Sequence, residues 1–151
     1  MGKFDVLRKC DMFRTLDDGE LRELVKMCGY EEFEAGAIIC KQDRKEEKFY
    51  VIEHGGVGII LEVGPLAQRQ VQAVTDYEVF GWSALLAPYI CTATVKALEK
   101  TKVLAFDGQE LSAFCVTKPE IGCKVSRGIA RVVATRLHQA YAQLLGVTAL
   151  V

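Results

Sequence analysis

The sequence predicts a mainly β domain with helices at both ends. Short strand-like runs separated by turn residues occupy residues 30–107, whereas helical periodicity is confined to residues 1–29 and 108–151. About eight short strands at this close spacing favour a sandwich, a jelly roll or a barrel. With 151 residues, half of them hydrophobic, the chain is long enough to bury one core, so we predict a single domain, 1–151.

The N-terminal region, residues 1–29, is predicted to contain helices. Residues 3–16 have the apolar spacing of a short helix followed by a turn. Asp17 followed by Glu20 is a capping box, which predicts that a second helix begins here. Gly29 is predicted to end that helix, because glycine is common just after a helical C-terminus.

The central region changes from a helical to a strand-like pattern at Tyr30. Apolar and β-branched residues form runs that are bounded by glycine, proline or charged loops, as strands commonly are. The clearest runs are residues 30–33, 37–40, 49–52, 57–63, 66–74, 91–97 and 102–106. They make residues 30–107 the predicted β-barrel.

The C-terminal region is predicted to contain a short helix, residues 108–117, and a long one from about 119 to 145, which Pro119 begins. Apolar residues recur along the long helix every three or four positions and form one stripe. The alternatives are that the stripe contacts a second copy of the chain or that the helix folds back over its own barrel. We expect a homodimer contact through Val125, Ile129, Val133, Leu137 and Tyr141.

The composition argues against several classes of function. A net charge of −1 leaves no basic surplus for nucleic acid, and no apolar stretch approaches the ~20 residues of a membrane span. The N-terminus lacks the apolar core of a signal peptide. Two separated histidines, and no nucleophile or nucleotide-binding glycine motif, argue against an enzyme. We therefore expect a cytoplasmic, non-enzymatic protein without direct nucleic-acid or membrane binding.

The six cysteines form no CxxC pair and stand at positions 10, 28, 40, 91, 115 and 123. Their spacing fits neither a zinc site nor the disulfide framework of a secreted protein. We expect buried or half-buried free thiols in a reducing cytoplasm, with no metal and no cofactor.

Residues 80–97, FGWSALLAPYICTATVKA, combine a turn, a short helix and a strand. Gly81 permits a tight turn, the apolar residues after it allow about one helical turn, and Pro88 ends that turn. The backbone N–H groups at the start of such a helix are free, which makes this stretch a candidate anion site.

Three groups of residues resemble a known family in the same order and spacing. FEAG at residues 33–36 with Ile38 resembles its F-x-x-G-x-x-I, and FYVIEHGGV at residues 49–57 resembles its F-Y-x-I-x-x-G-x-V. Residues 80–97 resemble its phosphate-binding cassette, F-G-E-L-A-L followed by R-x-A-T-V-x-A. The family is the cyclic nucleotide-binding domain, the sensor fold of catabolite-activator-type regulators, cyclic-nucleotide-dependent kinases and gated channels. The resemblance covers nearly the whole chain and implies a double-stranded β-helix, or jelly-roll, barrel.

The cassette, residues 80–97, departs from the family at two positions. Trp82 stands where the family has the glutamate that accepts a hydrogen bond from the ribose hydroxyl. Cys91 stands where the family has the arginine that pairs with the cyclic phosphate. The resemblance therefore implies weak or absent binding of cyclic AMP and cyclic GMP.

Several cassette residues can still face a ligand through backbone N–H groups or hydroxyls. The candidates are Gly81, Trp82, Ser83, Ala84, Cys91 and Thr92. Trp82 is expected either to plug the pocket or to stack on a base. Cys91 is interpreted as a small core residue, with a redox or metal-sensing thiol as the alternative.

Three hypotheses for the function follow. The first is a regulatory module that binds a small ligand and signals through its long helix to an unknown protein partner. The second is a genuine cyclic-nucleotide binder that uses backbone and hydroxyl contacts. The third is a ligand-free dimeric interaction domain.

Overall fold

The computed structural model describes residues 2–146 and confirms the predicted fold class. Helices and strands are numbered here in chain order. The helices are α1 (Lys3–Lys9), α2 (Asp18–Val25), α3 (Gly108–Thr117) and α4 (Pro119–Leu144), with 3₁₀ helices at Asp11–Phe13 and Trp82–Leu85. The strands are β1 (Cys28–Phe33), β2 (Ile38–Cys40), β3 (Lys48–His54), β4 (Gly56–Glu62), β5 (Gln68–Thr75), β6 (Val79–Phe80), β7 (Thr94–Ala97) and β8 (Thr101–Asp107).

The strands form two antiparallel sheets of four strands each. Neighbours run β1–β8–β3–β6 in one sheet and β2–β7–β4–β5 in the other. Most neighbouring strands are distant in the sequence, and the first strand pairs with the last. This is the jelly-roll arrangement that the family resemblance implies, and it brings β2 and the strand of the cassette, β7, side by side.

Both faces of β3 are buried. Tyr50 and Ile52 pack between the two sheets, whereas Phe49 and Val51 pack against the helices on the outer face of the first sheet. Burial on both faces explains why this strand is a continuous apolar run and does not alternate with polar residues.

The helices complete the core on that outer face. Leu7, Phe13 and Leu21 are fully buried there, together with Phe106 of β8 and Leu111 of α3. Complete burial of such a side chain contributes about 1.5–3 kcal/mol to folding. The N- and C-terminal helices therefore belong to one core with the β-roll.

The predicted start of α2 is confirmed, but its predicted end at Gly29 is wrong. Asp17 Oδ1 accepts a hydrogen bond from the Glu20 N–H at 2.8 Å, and Glu20 Oε1 accepts from the Asp17 N–H at 2.9 Å. The helix already ends at Val25, and Gly29 lies inside β1 opposite Ala105. The ladder between β1 and β8 begins at Cys28 and so overrides the helix-ending signal of the glycine.

The first half of α4 packs on its own domain. Val125 is buried, Ile129 packs against the same core, and Gly128 lies against Met12. A Cβ at Gly128 would come within 2.1 Å of the Met12 carbonyl oxygen, so the helix can approach this closely only with glycine there. The burial of Val125 within its own domain argues against its expected dimer contact, whereas Ile129 is only half-buried and its expected contact stays a prediction.

The second half of α4 presents an exposed apolar stripe. Its members are Val133, Leu137, Tyr141 and Leu144, and about half of the Leu137 and Tyr141 surfaces is exposed. This half of the helix also contacts β5, where Gln72 Nε2 donates to the Arg136 carbonyl at 3.0 Å. Among residues 2–146, no helix is both long enough and apolar enough to cross a bilayer.

Candidate functional site

The turn that opens the cassette depends on Gly81. Its φ of 82° lies in the left-handed region, which favours glycine. A Cβ there would come within 2.7 Å of Glu46 Oε1 and of the Lys48 carbonyl oxygen. The 3₁₀ helix Trp82–Leu85 follows at once, so the predicted single helical turn is present and starts against the loop that contains Glu46.

The strand at the end of the cassette points its small apolar residues inward. Cys91, Ala93, Val95 and Ala97 are buried, whereas Thr92 is exposed. Thr94 has the opposite parity but is also buried. Its hydroxyl accepts a hydrogen bond from the Gln42 N–H at 2.9 Å and donates to Glu62 Oε2 at 3.0 Å, which compensates for the burial of a polar group.

Cys91 forms a disulfide with Cys40, the last residue of β2. The expectation of buried or half-buried free thiols is therefore wrong for this pair and is confirmed for Cys10, Cys28 and Cys115. Cys123 is a free thiol, but it is exposed and not buried. Cys91 is buried, with 4% of its surface exposed, as its interpretation as a small core residue requires, but its sulfur is bonded and is not a free thiol. The sequence gives no signal for the pair, because Cys40 and Cys91 are 51 residues apart and meet only through the pairing of β2 with β7.

Glu46 is the feature of the site that sequence analysis missed. Only 4% of the residue is exposed, and its Oε2 contacts the sulfur of Cys91. Burial raises the pKa of its carboxyl to about 7. Among residues 2–146, no lysine or arginine forms an ion pair with it. The position that the family fills with a cation thus holds a sulfur beside a buried acid.

Backbone hydrogen bonds hold the two loops of the site together. The Asp43 N–H donates to the Cys91 carbonyl at 2.9 Å, and the Cys91 N–H donates to the Arg44 carbonyl at 2.8 Å. The Glu46 N–H donates to the Tyr89 carbonyl at 2.8 Å. This short ladder places Glu46 next to Cys91 independently of the sulfur–sulfur bond.

Trp82 lies beneath a side chain of α4. The Arg136 guanidinium carbon is 4.5 Å from the centroid of the indole ring, and Nη2 donates to the Val79 carbonyl. Burial lowers the pKa of Arg136 to about 10, so the group remains a cation at neutral pH. Its Nη1 is buried without a hydrogen-bond partner within residues 2–146. Trp82 therefore does not fill the pocket by itself. It stacks against Arg136, and both side chains line the cavity.

The cavity between these groups is small. Its volume is about 50 Å³, and Glu46, Trp82, Cys91 and Arg136 are among its lining residues. Sites for small organic ligands generally occupy about 300–1,000 Å³. Glu46 also borders two larger clefts, of about 490 Å³ beside α3 and about 230 Å³ beside Cys40.

Residues 30–118 match the family model of the cyclic nucleotide-binding domain. The chain belongs to this family. The matched segment contains the whole cassette, Cys40 and Glu46. The two substitutions in the cassette, Trp82 and Cys91, therefore lie inside the recognised domain.

Relatives of known description share the domain as part of longer chains. A putative potassium channel protein of Rhodopseudomonas palustris is 26% identical over 95% of this chain. The cAMP-dependent protein kinase regulatory subunit of Dictyostelium discoideum is 27% identical over 74% of this chain. This chain spans only 34% and 35% of their lengths, respectively.

A solved structure agrees with the fold. A putative cyclic nucleotide-binding protein from Geobacter metallireducens superimposes with a TM-score of 0.80 at 25% identity, covering 91% of this chain and 100% of that one. As a cyclic nucleotide-binding domain, the present chain retains the turn at Gly81 and the 3₁₀ helix of the cassette. It replaces the two side chains at positions 82 and 91 that the resemblance assigns to ribose and phosphate.

Proposed function

We propose that this chain is a ligand-sensing regulatory module in which binding of cyclic AMP and cyclic GMP is weak or absent. The observation that carries the proposal is the contact between the buried Glu46 carboxyl and Cys91, at the place of the family's phosphate-binding arginine. A negative ligand would meet an acid there instead of a cation.

The expected loss of affinity is large. A charge-assisted hydrogen bond contributes about 1.5–3 kcal/mol, which corresponds to a factor of roughly 10–100 in affinity. The loss of the ribose acceptor at Trp82 adds to this. The 50 Å³ cavity opposes binding further, because Trp82 and Arg136 would have to move before a nucleotide could enter.

Titration calorimetry of the reduced and oxidised protein with cyclic AMP and cyclic GMP tests this proposal. We expect no saturable heat in the micromolar range with either nucleotide. A dissociation constant in the low micromolar range or tighter would contradict the proposal.

Arg136 is the observation that favours a second candidate, a genuine cyclic-nucleotide binder. Its unpaired Nη1 is at the cavity and could meet a phosphate together with the backbone N–H groups of Trp82 and Ser83. The Ser83 and Thr92 hydroxyls would add neutral contacts. In that case Arg136→Gln would abolish the heat of binding, whereas the exposed Arg127→Gln would not.

The partner of this module is proposed from the exposed stripe of α4, defined above as Val133, Leu137, Tyr141 and Leu144. We expect a homodimer through this half of the helix and signalling from it to another protein. The same exposed stripe is also consistent with the third hypothesis, in which the chain is a dimeric interaction domain that binds no ligand. Sedimentation should show a dimer that Leu137→Glu dissociates and that His138→Glu, on an exposed neighbouring position, leaves intact.

A non-catalytic, cytoplasmic role completes the proposal. The relatives are, by description, a channel protein and a regulatory subunit of a kinase, in which a domain of this kind is a minor part of the chain. The site offers binding groups at Glu46, Cys91 and Arg136 and suits occupancy-dependent regulation.

A further inference from the structure

We propose that the reduced side chains of Cys40 and Cys91, together with the Glu46 carboxylate, form a binding site for a thiophilic divalent cation of the Zn²⁺ class. The ligand atoms of the three residues lie within 4.8 Å of one another. This inference rests on the proposed function, because it assigns a ligand class to the same regulatory site. The site of this chain would therefore bind a cation at the position where the family binds the anionic phosphate.

The chemistry of the three groups matches zinc. Zinc takes thiolate sulfur at about 2.3 Å and carboxylate oxygen at about 2.0–2.2 Å, and three protein ligands leave a fourth position open. Two thiolates and one carboxylate carry three negative charges, which the cation would largely neutralise. Among residues 2–146, neither lysine nor arginine supplies that charge to Glu46 through an ion pair.

The spacing of the backbone suits a shared metal. The Cα atoms of Cys40 and Cys91 are 6.9 Å apart, just beyond the usual disulfide range of about 4.4–6.8 Å. Two thiolates on one tetrahedral zinc hold their sulfur atoms about 3.8 Å apart. The same backbone therefore accommodates the reduced, metal-bound pair without drawing β2 and the cassette closer together.

The scaffold remains in place when the disulfide is reduced. The backbone bonds of Cys91 with Asp43 and Arg44, and that of Glu46 with Tyr89, do not involve sulfur. The cleft of about 230 Å³ that Cys40 and Glu46 line provides a path for the ion. Lys45 and Lys48 also line this cleft, but Lys48 forms an ion pair with Glu31 at 2.7 Å and Glu47 contributes a negative charge to the same lining.

The disulfide and the metal complex are two states of the same atoms. A dithiol reductant breaks the sulfur–sulfur bond, transfers two electrons and two protons to the cysteines, and becomes a disulfide itself. Zn²⁺ then replaces the two thiol protons, which leave as H⁺. In a reducing compartment the metal-binding state is the one that persists.

The test uses the full chain, reduced with a phosphine that does not bind metal and freed of metal with a chelator. We expect one equivalent of Zn²⁺ per chain in competition with a chromophoric chelator, and a thiolate-to-metal charge-transfer band with Co²⁺. Cys40→Ser, Cys91→Ser and Glu46→Gln should each weaken binding at least about tenfold. Cys123→Ser, which removes an exposed thiol on α4, is the matched control and should bind as the wild type does.

A second measurement needs no variant and covers the case in which a variant fails to fold. In the wild type, Zn²⁺ should protect Cys40 and Cys91 from alkylation while Cys123 remains reactive. The inference is overturned if the reduced protein takes up no stoichiometric metal, if Co²⁺ gives no charge-transfer band, or if Cys123→Ser loses binding as the site variants do. Zinc binding is read without nucleotide, so a failure here leaves the calorimetric test of the proposed function unaffected.

Discussion

The guanidinium of Arg136 lies over the ring of Trp82, with 4.5 Å between Cζ and the ring centroid. The contact joins the cassette to the long C-terminal helix. Trp82 is the single tryptophan among the 151 residues, so the tryptophan fluorescence of the protein comes entirely from this position.

Arg136→Ala should release the second half of α4 from the cassette. A desolvated cation–π contact contributes up to about 2 kcal/mol, and the variant also loses the hydrogen bond to the Val79 carbonyl. We expect a shift of the tryptophan emission and faster amide exchange in residues 133–144. Arg127→Ala, an exposed arginine of the same helix, is the control, and equal spectra for both variants would argue against the contact.

Restoring the family's two cassette side chains should not restore full nucleotide binding by itself. In Trp82→Glu with Cys91→Arg, the new guanidinium would pair with the Glu46 carboxylate beside it instead of with a phosphate. Adding Glu46→Gln should raise the affinity for cyclic AMP by about tenfold or more, as calorimetry would measure. Adding Glu47→Gln, at an exposed neighbour, should change little. Equal affinities with and without Glu46→Gln would show that this acid does not oppose the phosphate.

Gly128→Ala should separate α4 from the N-terminal segment. The added Cβ would overlap the Met12 carbonyl oxygen, and such overpacking commonly costs about 1–3 kcal/mol. Urea unfolding should show this loss. In Gly19→Ala, inside α2, the added Cβ would come no closer than 3.4 Å to its nearest neighbour, Asp17 Oδ1, so this variant should be neutral or stabilising because alanine favours helix. A stable Gly128→Ala protein would contradict the observed approach of helix and loop.

The free cysteines should differ widely in reactivity. Burial raises the pKa of Cys10 to about 12 and that of Cys28 to about 11, so both remain thiols at neutral pH. Alkylation followed by mass spectrometry should modify exposed Cys123 first and Cys10 last. Above about pH 9 the unfolded thiols ionise while the folded ones do not, so stability should fall as the pH rises toward 12. Early labelling of Cys10 in the folded protein would contradict its burial.

Local patterns were sufficient to predict the mainly β fold class, and the family resemblance added the jelly roll and the frame of the cassette. The run at residues 49–52, the turn at Gly81 and the capping box at Asp17 are each determined within a few residues, and the structure confirms them. The end of α2 was predicted wrongly because the pairing of β1 with β8, set by residues far away, extends back to Cys28.

The content of the site could not be predicted in the same way. Cys40, Glu46 and Cys91 look unrelated along the chain and meet only when β2 lies beside β7. Arg136 lies outside the apolar stripe that the pattern of the long helix predicts, yet the packing of α4 places it over Trp82. Long-range side-chain clusters of this kind leave no periodic signal in one sequence.

The shared position of Arg136 between α4 and the cassette has a thermodynamic consequence. If docking of this helix changes the free energy of ligand binding at the cassette, then ligand binding changes the free energy of helix docking by the same amount. A protein that captures the second half of α4 would therefore alter ligand affinity by the same factor by which the ligand alters its capture. Measuring either equilibrium in the presence of the other partner gives the coupling free energy between the cassette and this helix directly.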